Sequence, residues 1–418
     1  MLREMCRFVV VALTVSAAPA WGENWPQWRG PQQNGVAVGH GFPTEWGEEQ
    51  NILWKVPVPG WGTSTPAIWG EKIFLTGEDN GQNVIVCLDR RSGEKQWQVA
   101  VGESAGNRNG KASGANPSAV TDGSQVFAYF RSGDLACVDF SGKVVWSTNL
   151  QQGHGADSLN WDLGSSPVLT KNLVVVAAMH QAPSYLLALN KTTGAEVWNQ
   201  PRDTGAPGES RDSYTTPLVI EQDGNETIVV LGADFVTGHA AATGAEIWRF
   251  GSLNPEQRRN YRSIASPVAA DEQIIVPYSR GATLTAIRRG GTGDVSTSHQ
   301  VWLRDGVSAD VPSPAVYQGR VYLCRDRGDV VCVDLKTGET LWSKRLPRNR
   351  YPYSSSPVIA DGKLYATRED GTTFVLSLSD EPELLATNLL RENTYATPVF
   401  LDGKVFLRTS DYLFCIGQ

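Results

Sequence analysis

The sequence predicts an all-β fold: an eight-bladed β-propeller of four-stranded antiparallel blades, closed by N- and C-terminal strands in one blade. Three observations carry this reading. An eleven-residue signature recurs at Cys87–Trp97, Ala188–Trp198, Gly238–Trp248 and Cys332–Trp342, with a one-residue-shorter copy at Cys137–Trp146. A small residue followed by proline and an apolar run recurs at Pro66, Pro117, Pro167, Pro217, Pro267, Pro314, Pro357 and Pro398. The last unit ends at Tyr412–Ile416 without a Trp strand, and the missing strand stands before the first anchor, at Ile52–Val56.

Each signature begins with a small residue, carries Asp or Asn at its third position in most copies, Gly at its seventh and Trp at its eleventh. That pattern reads as a strand, a tight turn closed by Thr/Ser-Gly, and a second strand. Glycine supplies φ > 0 where the chain reverses, and the indole offers a large face for docking on a neighbour. Trp54, Trp97, Trp146, Trp198, Trp248, Trp302 and Trp342 are therefore expected to be blade-docking residues. Middle strands follow Gly319, Gly362 and Gly403. With the anchor strand and the two signature strands, each unit has four strands, the composition of a propeller blade. A single unit cannot bury its apolar side alone, so the units stack. Pairing Ile52–Val56 with the last unit removes two open edges. Two copies decay: Arg288–Gln300 is an insertion between outer strands, and Leu384-Leu385 stand where a Trp is expected. Residues 21–51 have too few alternating apolar positions for a blade and are read as a segment packed on the propeller, leaving 52–418 for the ring.

Composition agrees with an all-β chain: 42 Gly and 14 Trp, with 41% hydrophobic and 19% charged residues. Residues 1–20 are predicted to be a secretory signal peptide. Arg3 and Arg7 precede the apolar run Phe8–Ala18, which ends at Ala18-Pro19-Ala20. The expectation is an exported, soluble, monomeric protein in the periplasm or outside the cell, with no transmembrane segment. Net charge is −7, which disfavours a nucleic-acid partner. Cys87, Cys137, Cys332 and Cys415 occupy a column filled elsewhere by Ala188, Gly238, Ala286 and Ser377, which marks them as small buried residues. Cys324 and Cys332 lie symmetrically about Arg327-Gly328, so a cross-strand disulfide is an open alternative there. No cysteine spacing fits a zinc site, so no metal is expected, and no P-loop or His-Glu-x-x-His pattern is present.

Ligand sites on propellers form where interblade loops converge on the axis. Two groups of residues are candidates. The loop after the second unit carries His154, Asp157, Asn160, Trp161 and Asp162, a set that could hold a metal ion or a polar ligand, although a lone His among loop carboxylates is more often a solvated hydrogen-bonder. Arg131, Arg280, Arg325, Arg368 and Arg408 each follow a second strand. Aligned, they would form a basic collar for an anionic ligand or acidic peptide. The competing reading pairs each with a nearby acid such as Asp134, Asp326, Glu369 or Asp411.

The signature small-x-Asp-x-x-Thr-Gly-x-x-x-Trp resembles the repeat of the pyrroloquinoline quinone (PQQ) propellers, and the resemblance extends over 52–418. Trp25-Pro-Gln-Trp-Arg-Gly-Pro31 resembles the start of BamB-like or PQQ-like secreted propellers. The resemblance implies one of two functions. One branch comprises quinoprotein dehydrogenases with PQQ and calcium on the axis; the other comprises BamB-like scaffolds that help insert outer-membrane proteins. The adjacent Cys-Cys pair of the dehydrogenase branch is missing, so the expectation is a non-enzymatic binding or scaffold module with protein partners in the cell envelope, no cofactor and no catalytic residue. The alternatives are a PQQ- and calcium-dependent oxidoreductase and a polysaccharide or anionic-ligand binder. A tight polar axial cavity with several carboxylates would favour the enzyme. An open mouth with exposed apolar and Arg residues would favour the binder.

Overall fold

In seven blades the small residue that opens the signature faces the Trp across a strand pair. A computed structural model describes residues 24–418 apart from 109 and 223. The predicted signal peptide lies outside the described residues. The register places Cys87 opposite Trp97, Cys137 opposite Trp146, Ala188 opposite Trp198, Gly238 opposite Trp248, Ala286 opposite Trp302, Cys332 opposite Trp342 and Cys415 opposite Trp54. A register shift follows this pair in all seven, turning the indole towards the next blade. The column must be small because the indole lies over it: a Cβ added at Gly238 would collide with Trp248. The indole then docks on the turn of the following signature. The Gly93 turn, at φ 76°, comes so close to Trp54 that a Cβ would sit 2.8 Å from its ring. Indole nitrogens of Trp97, Trp146, Trp198 and Trp302 donate to Phe140 O, Lys191 O, Ala241 O and Leu335 O of the next blade, at 2.7 to 3.0 Å.

Eight sheets result, in the predicted ring of blades. Blade 1 comprises Ala67–Trp69, Lys72–Asp79, Gln82–Asp89 and Lys95–Glu103. Blade 8 takes Val399–Leu401, Lys404–Arg408 and Tyr412–Ile416 from the C-terminus, and its outer strand, Ile52–Pro57, from the other end of the chain. Closure from both termini is as the sequence predicts. The insertion after Arg288 is more than a loop. Gly293–Asp294 adds to blade 4 as a fifth strand, parallel to Glu246–Phe250.

Blade 7 solves its missing Trp differently. Ala386, and not Leu384 or Leu385, occupies the Trp position, and it stands opposite Val375, which takes the column place expected for Ser377. In blades 1, 2, 6 and 8 the signature Trp lies 6.0 Å from a second-strand aromatic: Phe74, Phe127, Tyr322 and Phe406. The equivalent residue in blade 7, Tyr365, instead stacks on Trp46, at 6.3 Å and 15°. Trp46 comes from the N-terminal segment and is held there by its backbone N–H, which donates to Asn388 Oδ1 at 3.0 Å.

Upstream of Trp46, residues 24–37 form a strap across one face of the ring. The strap takes up inward-facing amides of the innermost strands. Ile68 N donates to Trp25 O, Thr121 N to Pro26 O, Val316 N to Asn34 O and Ile359 N to Gly35 O, at 2.8 to 3.2 Å, and Val219 N donates to Gln33 Oε1 at 3.3 Å. Among the described residues it makes no such bond at the equivalent positions of blades 3, 5 and 8: Leu169, Ala269 and Phe400.

Two sequence expectations need correction. Pro117 is not the anchor of blade 2. Val120 faces Phe127 as Ala67 faces Phe74 and Val168 faces Val175, so Ala119 stands where the other blades have proline. The second concerns the proposed disulfide: Cys324 faces Val330 and Cys332 faces Tyr322, so the hairpin is centred on Arg327, one residue earlier than expected, and the sulfurs are staggered. All five described cysteines are free and buried, and burial raises their pKa, to about 11 at Cys332 and about 12 at Cys87, Cys137 and Cys415. The thiolate is the reactive form. The expected result is that a thiol reagent at pH 8 titrates none of these five in the native protein and all of them in denaturant.

Candidate functional site

The innermost strands begin with a hydroxyl residue in every blade, and these eight residues join around the axis. Each backbone N–H donates to the side-chain oxygen of the next blade: Thr65 to Ser118, Ser118 to Ser166, Ser166 to Thr216 and Thr216 to Ser266, at 2.9 to 3.0 Å. The circuit continues from Ser266 to Ser313, Ser313 to Ser356, Ser356 to Thr397 and Thr397 back to Thr65, at 2.8 to 3.2 Å. All eight residues are buried. The ring is a second closure device, independent of the shared eighth blade.

The ring forms the floor of an axial funnel of about 430 Å³, walled by all eight interblade connections. Trp28 of the strap completes the floor, its Nε1 donating to Thr397 Oγ1 at 3.4 Å. Beneath it, Arg29 is fully buried. Its Nη1 donates to Pro357 O at 2.9 Å and its Nη2 to Pro314 O, each carbonyl next in sequence to a ring residue. No carboxylate pairs with it among the described residues, and burial lowers its pKa to about 9. The walls carry Tyr214, Ile264, Val311, Tyr395 and Ala396. At the rim stands Trp161, 46% exposed, with the Arg262 guanidinium 5.9 Å from its ring. Arg262 Nη2 donates to Asp310 Oδ2 at 3.1 Å. Lys111 Nζ pairs with Glu369 at 3.1 Å, and Ser354 Oγ holds the same carboxylate at 2.5 Å.

The loop singled out in the sequence is divided by the structure. Trp161 and Asp162 reach the funnel. Asp162 Oδ1 accepts from Arg108 N at 2.7 Å and lies 3.4 Å from Arg131 Nε. Asp157 faces Arg108 at 3.5 Å, and Asn160 N donates to Asp212 Oδ2 at 3.3 Å. His154 turns to the third blade, 3.3 Å from Glu196 and 3.1 Å from Asn199.

The five arginines form no collar, and none lines the funnel. Each instead braces an interblade connection or its own turn. Arg131 Nη1 donates to Ala105 O and Gly106 O at 3.0 and 2.9 Å, and Arg325 Nε to Ser308 O at 3.0 Å. Arg368 grips Asp370 through Nε and Nη2 at 3.0 and 2.9 Å. Arg280 approaches Asp310 at 3.9 Å. Arg408 is fully buried against Ser64 and Thr76 O. The cations on the funnel wall are Lys111 and Arg262, which sequence reasoning missed because neither belongs to a repeated position.

The PQQ and calcium of the dehydrogenase branch would have to be held in this funnel. Calcium takes six to eight oxygen ligands, carboxylates prominent among them. Asp162 is the one carboxylate among the described lining residues, and it already faces Arg131 and the Arg108 amide. Asn116 Oδ1 accepts from Ser113 N and Thr63 Oγ1. This donor set does not fit a calcium ion.

Behind the rim, Asp212 Oδ1 is buried without a hydrogen-bond partner among the described residues, and burial pushes its pKa up to about 6. A raised pKa means that the folded state favours the protonated acid, so the penalty for ionising it grows from about pH 4 to pH 6 and is present in full above. Asp212→Asn keeps an oxygen for Asn160 N. It is expected to stabilise the protein at pH 8, by on the order of 1–2 kcal/mol, and to do little at pH 4. Melting temperatures of both proteins across that range provide the check.

Comparison with known proteins adds the following. The family described as outer membrane protein assembly factor BamB matches residues 30–184, 163–383 and 326–416. The outer membrane protein assembly factor BamB of Yersinia pestis is 22% identical over 358 residues, spanning 82% of this chain and 81% of that one. Among solved structures, BamB from Moraxella catarrhalis superposes with a TM-score of 0.63 at 16% identity, covering 88% of this chain and 97% of that one. A europium-containing methanol dehydrogenase superposes with a TM-score of 0.73 at 12% identity, covering 92% and 89%. Both superpositions speak for the fold alone.

Proposed function

We propose, from the premise that this chain belongs to the family of the outer membrane protein assembly factor BamB, that it is a non-enzymatic binding module of the cell envelope whose ligand is a polypeptide. The observation that carries this reading is the mouth of the funnel. It is open, rimmed by the exposed Trp161 and its Arg262, walled by Tyr214, Ile264 and Tyr395, and it brings in one carboxylate, already engaged. Trp161 is exposed over the recess and Arg262 is buried beside it; an exposed aromatic anchored by an arginine at a recess is the kind of contact that protein interfaces use. An oxidoreductase centre needs converging anionic oxygens on the same axis, and the donor set argues against that use. The relatedness to a BamB at 22% identity supports an envelope setting.

The test is a photoreactive amino acid placed at position 161 in cells that make the protein. Capture of a specific envelope protein from the rim, absent when the group is moved to the outer-strand position Val197, is the expected result. Calorimetric titration with PQQ and calcium, coupled to a dye-linked alcohol oxidation assay, supplies the opposing arm. Saturable binding with turnover would replace this reading with the oxidoreductase one.

A further inference from the structure

We infer that the floor of the funnel is a carboxylate-binding ring, made to receive an acid group carried on an apolar or aromatic stem. The inference rests on the reading of this chain as a binding module and names the chemistry of its ligand.

The argument starts from proton counting on the hydroxyl ring. A hydroxyl has one donor and two acceptor positions. Every ring oxygen already accepts an amide N–H from the blade before it. One hydroxyl proton has a taker: Thr65 Oγ1 donates to Thr397 O at 3.2 Å. The other ring hydroxyls donate to no protein group among the described residues, although all are buried. A buried donor is destabilising until a ligand or solvent oxygen accepts its proton. The funnel floor therefore offers seven O–H donors without a protein acceptor among the described residues, each ring oxygen keeping at most one of its two acceptor positions, and above the unbalanced Arg29 the complementary ligand group is an anionic one rich in acceptors. A carboxylate is such a group. An amide or a sugar hydroxyl accepts fewer of these hydrogen bonds and carries no charge to balance Arg29.

Charge points the same way. Arg29 lies directly beneath, held by carbonyls of two residues that follow ring positions, with no carboxylate to balance it. Lys111 stands on the wall and is more than half exposed despite its contact with Glu369. The stem is set by the walls, where Trp28, Tyr214, Ile264 and Tyr395 surround a space of about 430 Å³, room for one or two amino-acid residues. The acid could be a polypeptide C-terminus, an acidic side chain or a small free acid. The shared chemistry is the carboxylate.

The probes are N-acetylphenylalanine, its C-terminal amide, and N-acetylaspartate α-amide, each titrated calorimetrically into the full protein at low salt. The expected result is that N-acetylphenylalanine binds saturably and that its amide is weaker by roughly tenfold or more, the factor for losing about one charge-assisted hydrogen bond. Binding of N-acetylaspartate α-amide as well would assign the site to acidic side chains too; its failure would assign it to a C-terminus or free acid. Equal affinity of acid and amide, or no saturable binding of any probe, would overturn the inference. Because losing a ring hydroxyl could loosen closure, the variant of choice is Ile264→Glu, which sets a carboxylate in the wall and leaves the ring intact. It should abolish acid binding while leaving the melting temperature close to that of the parent. Rim crosslinking from position 161 reads the module's partner without these probes, so failure of the carboxylate site and failure of the binding-module reading are told apart.

Discussion

Trp46→Ala is expected to destabilise the protein by about 3–5 kcal/mol, the cost of emptying a core site of an aromatic. The residue lies outside every repeat, and on sequence position alone its removal would be mild. Its surroundings say otherwise. It is buried, it stacks on Tyr365, and Tyr365 in turn packs on Phe400 of blade 8 at 4.5 Å. In other blades the signature Trp fills this site from its own outer strand. Blade 7 has Ala386 there, so removing Trp46 leaves the interface between blades 7 and 8 with no indole at all. That interface adjoins the closing blade, where an opening cannot be shared with a neighbour on a free end. Denaturant midpoints of Trp46→Ala, Tyr365→Ala and the double variant give the check. The two losses should be strongly non-additive, since both remove the same contact. A loss below about 1 kcal/mol, or additive losses, would mean that Trp46 merely covers the blade. Trp161→Ala, at an exposed position, is the matched control and should fall within about 0.5–1 kcal/mol of the parent.

The blades were legible because their causes are local. A strand pair, a glycine turn and a docking indole recur within eleven residues, and Trp54 reveals the closure because it is the one signature Trp with no signature before it. The parts that were not legible depend on residues far apart in the chain. Trp46 finds Tyr365 across the closing seam, and nothing near either residue in sequence indicates the pair. The hydroxyl ring was visible only as a preference for a small residue before proline; the sequence does not say that each oxygen accepts a neighbouring amide. In blade 2 even that cue misleads, because the ring residue is Ser118 and the proline precedes it. The arginines share the ends of second strands but not one column: Arg131 stands four residues past Phe127, Arg280 five past Ile275, Arg325 and Arg368 three past Tyr322 and Tyr365, and Arg408 two past Phe406. Position at a strand end does not fix where a long side chain reaches, and carbonyls and carboxylates of the adjoining loops and turns lay closer than the axis.

The strap poses the remaining question, whether it belongs to the ring's stability or merely lies on it, and the pattern of its hydrogen bonds makes this measurable. A chain lacking residues 24–37 but keeping Trp46 and Ile52–Pro57 retains both the blade 7 indole and the closing strand. It loses Trp25, which is fully buried against blade 1, and the Arg29 bridge between the carbonyls of Pro314 and Pro357. Orphaned buried carbonyls and lost indole burial together should lower the unfolding free energy by about 4–6 kcal/mol. Hydrogen exchange separates these effects by residue. In the intact protein the amides of Ile68, Thr121, Val316 and Ile359 donate to strap carbonyls, whereas the strap makes no bond at Leu169, Ala269 and Phe400. Deletion is expected to release the first four amides to fast exchange while the latter three change little. Uniform acceleration at all seven would instead mean that the strap holds the whole ring shut, since exchange through global opening does not distinguish one blade from another.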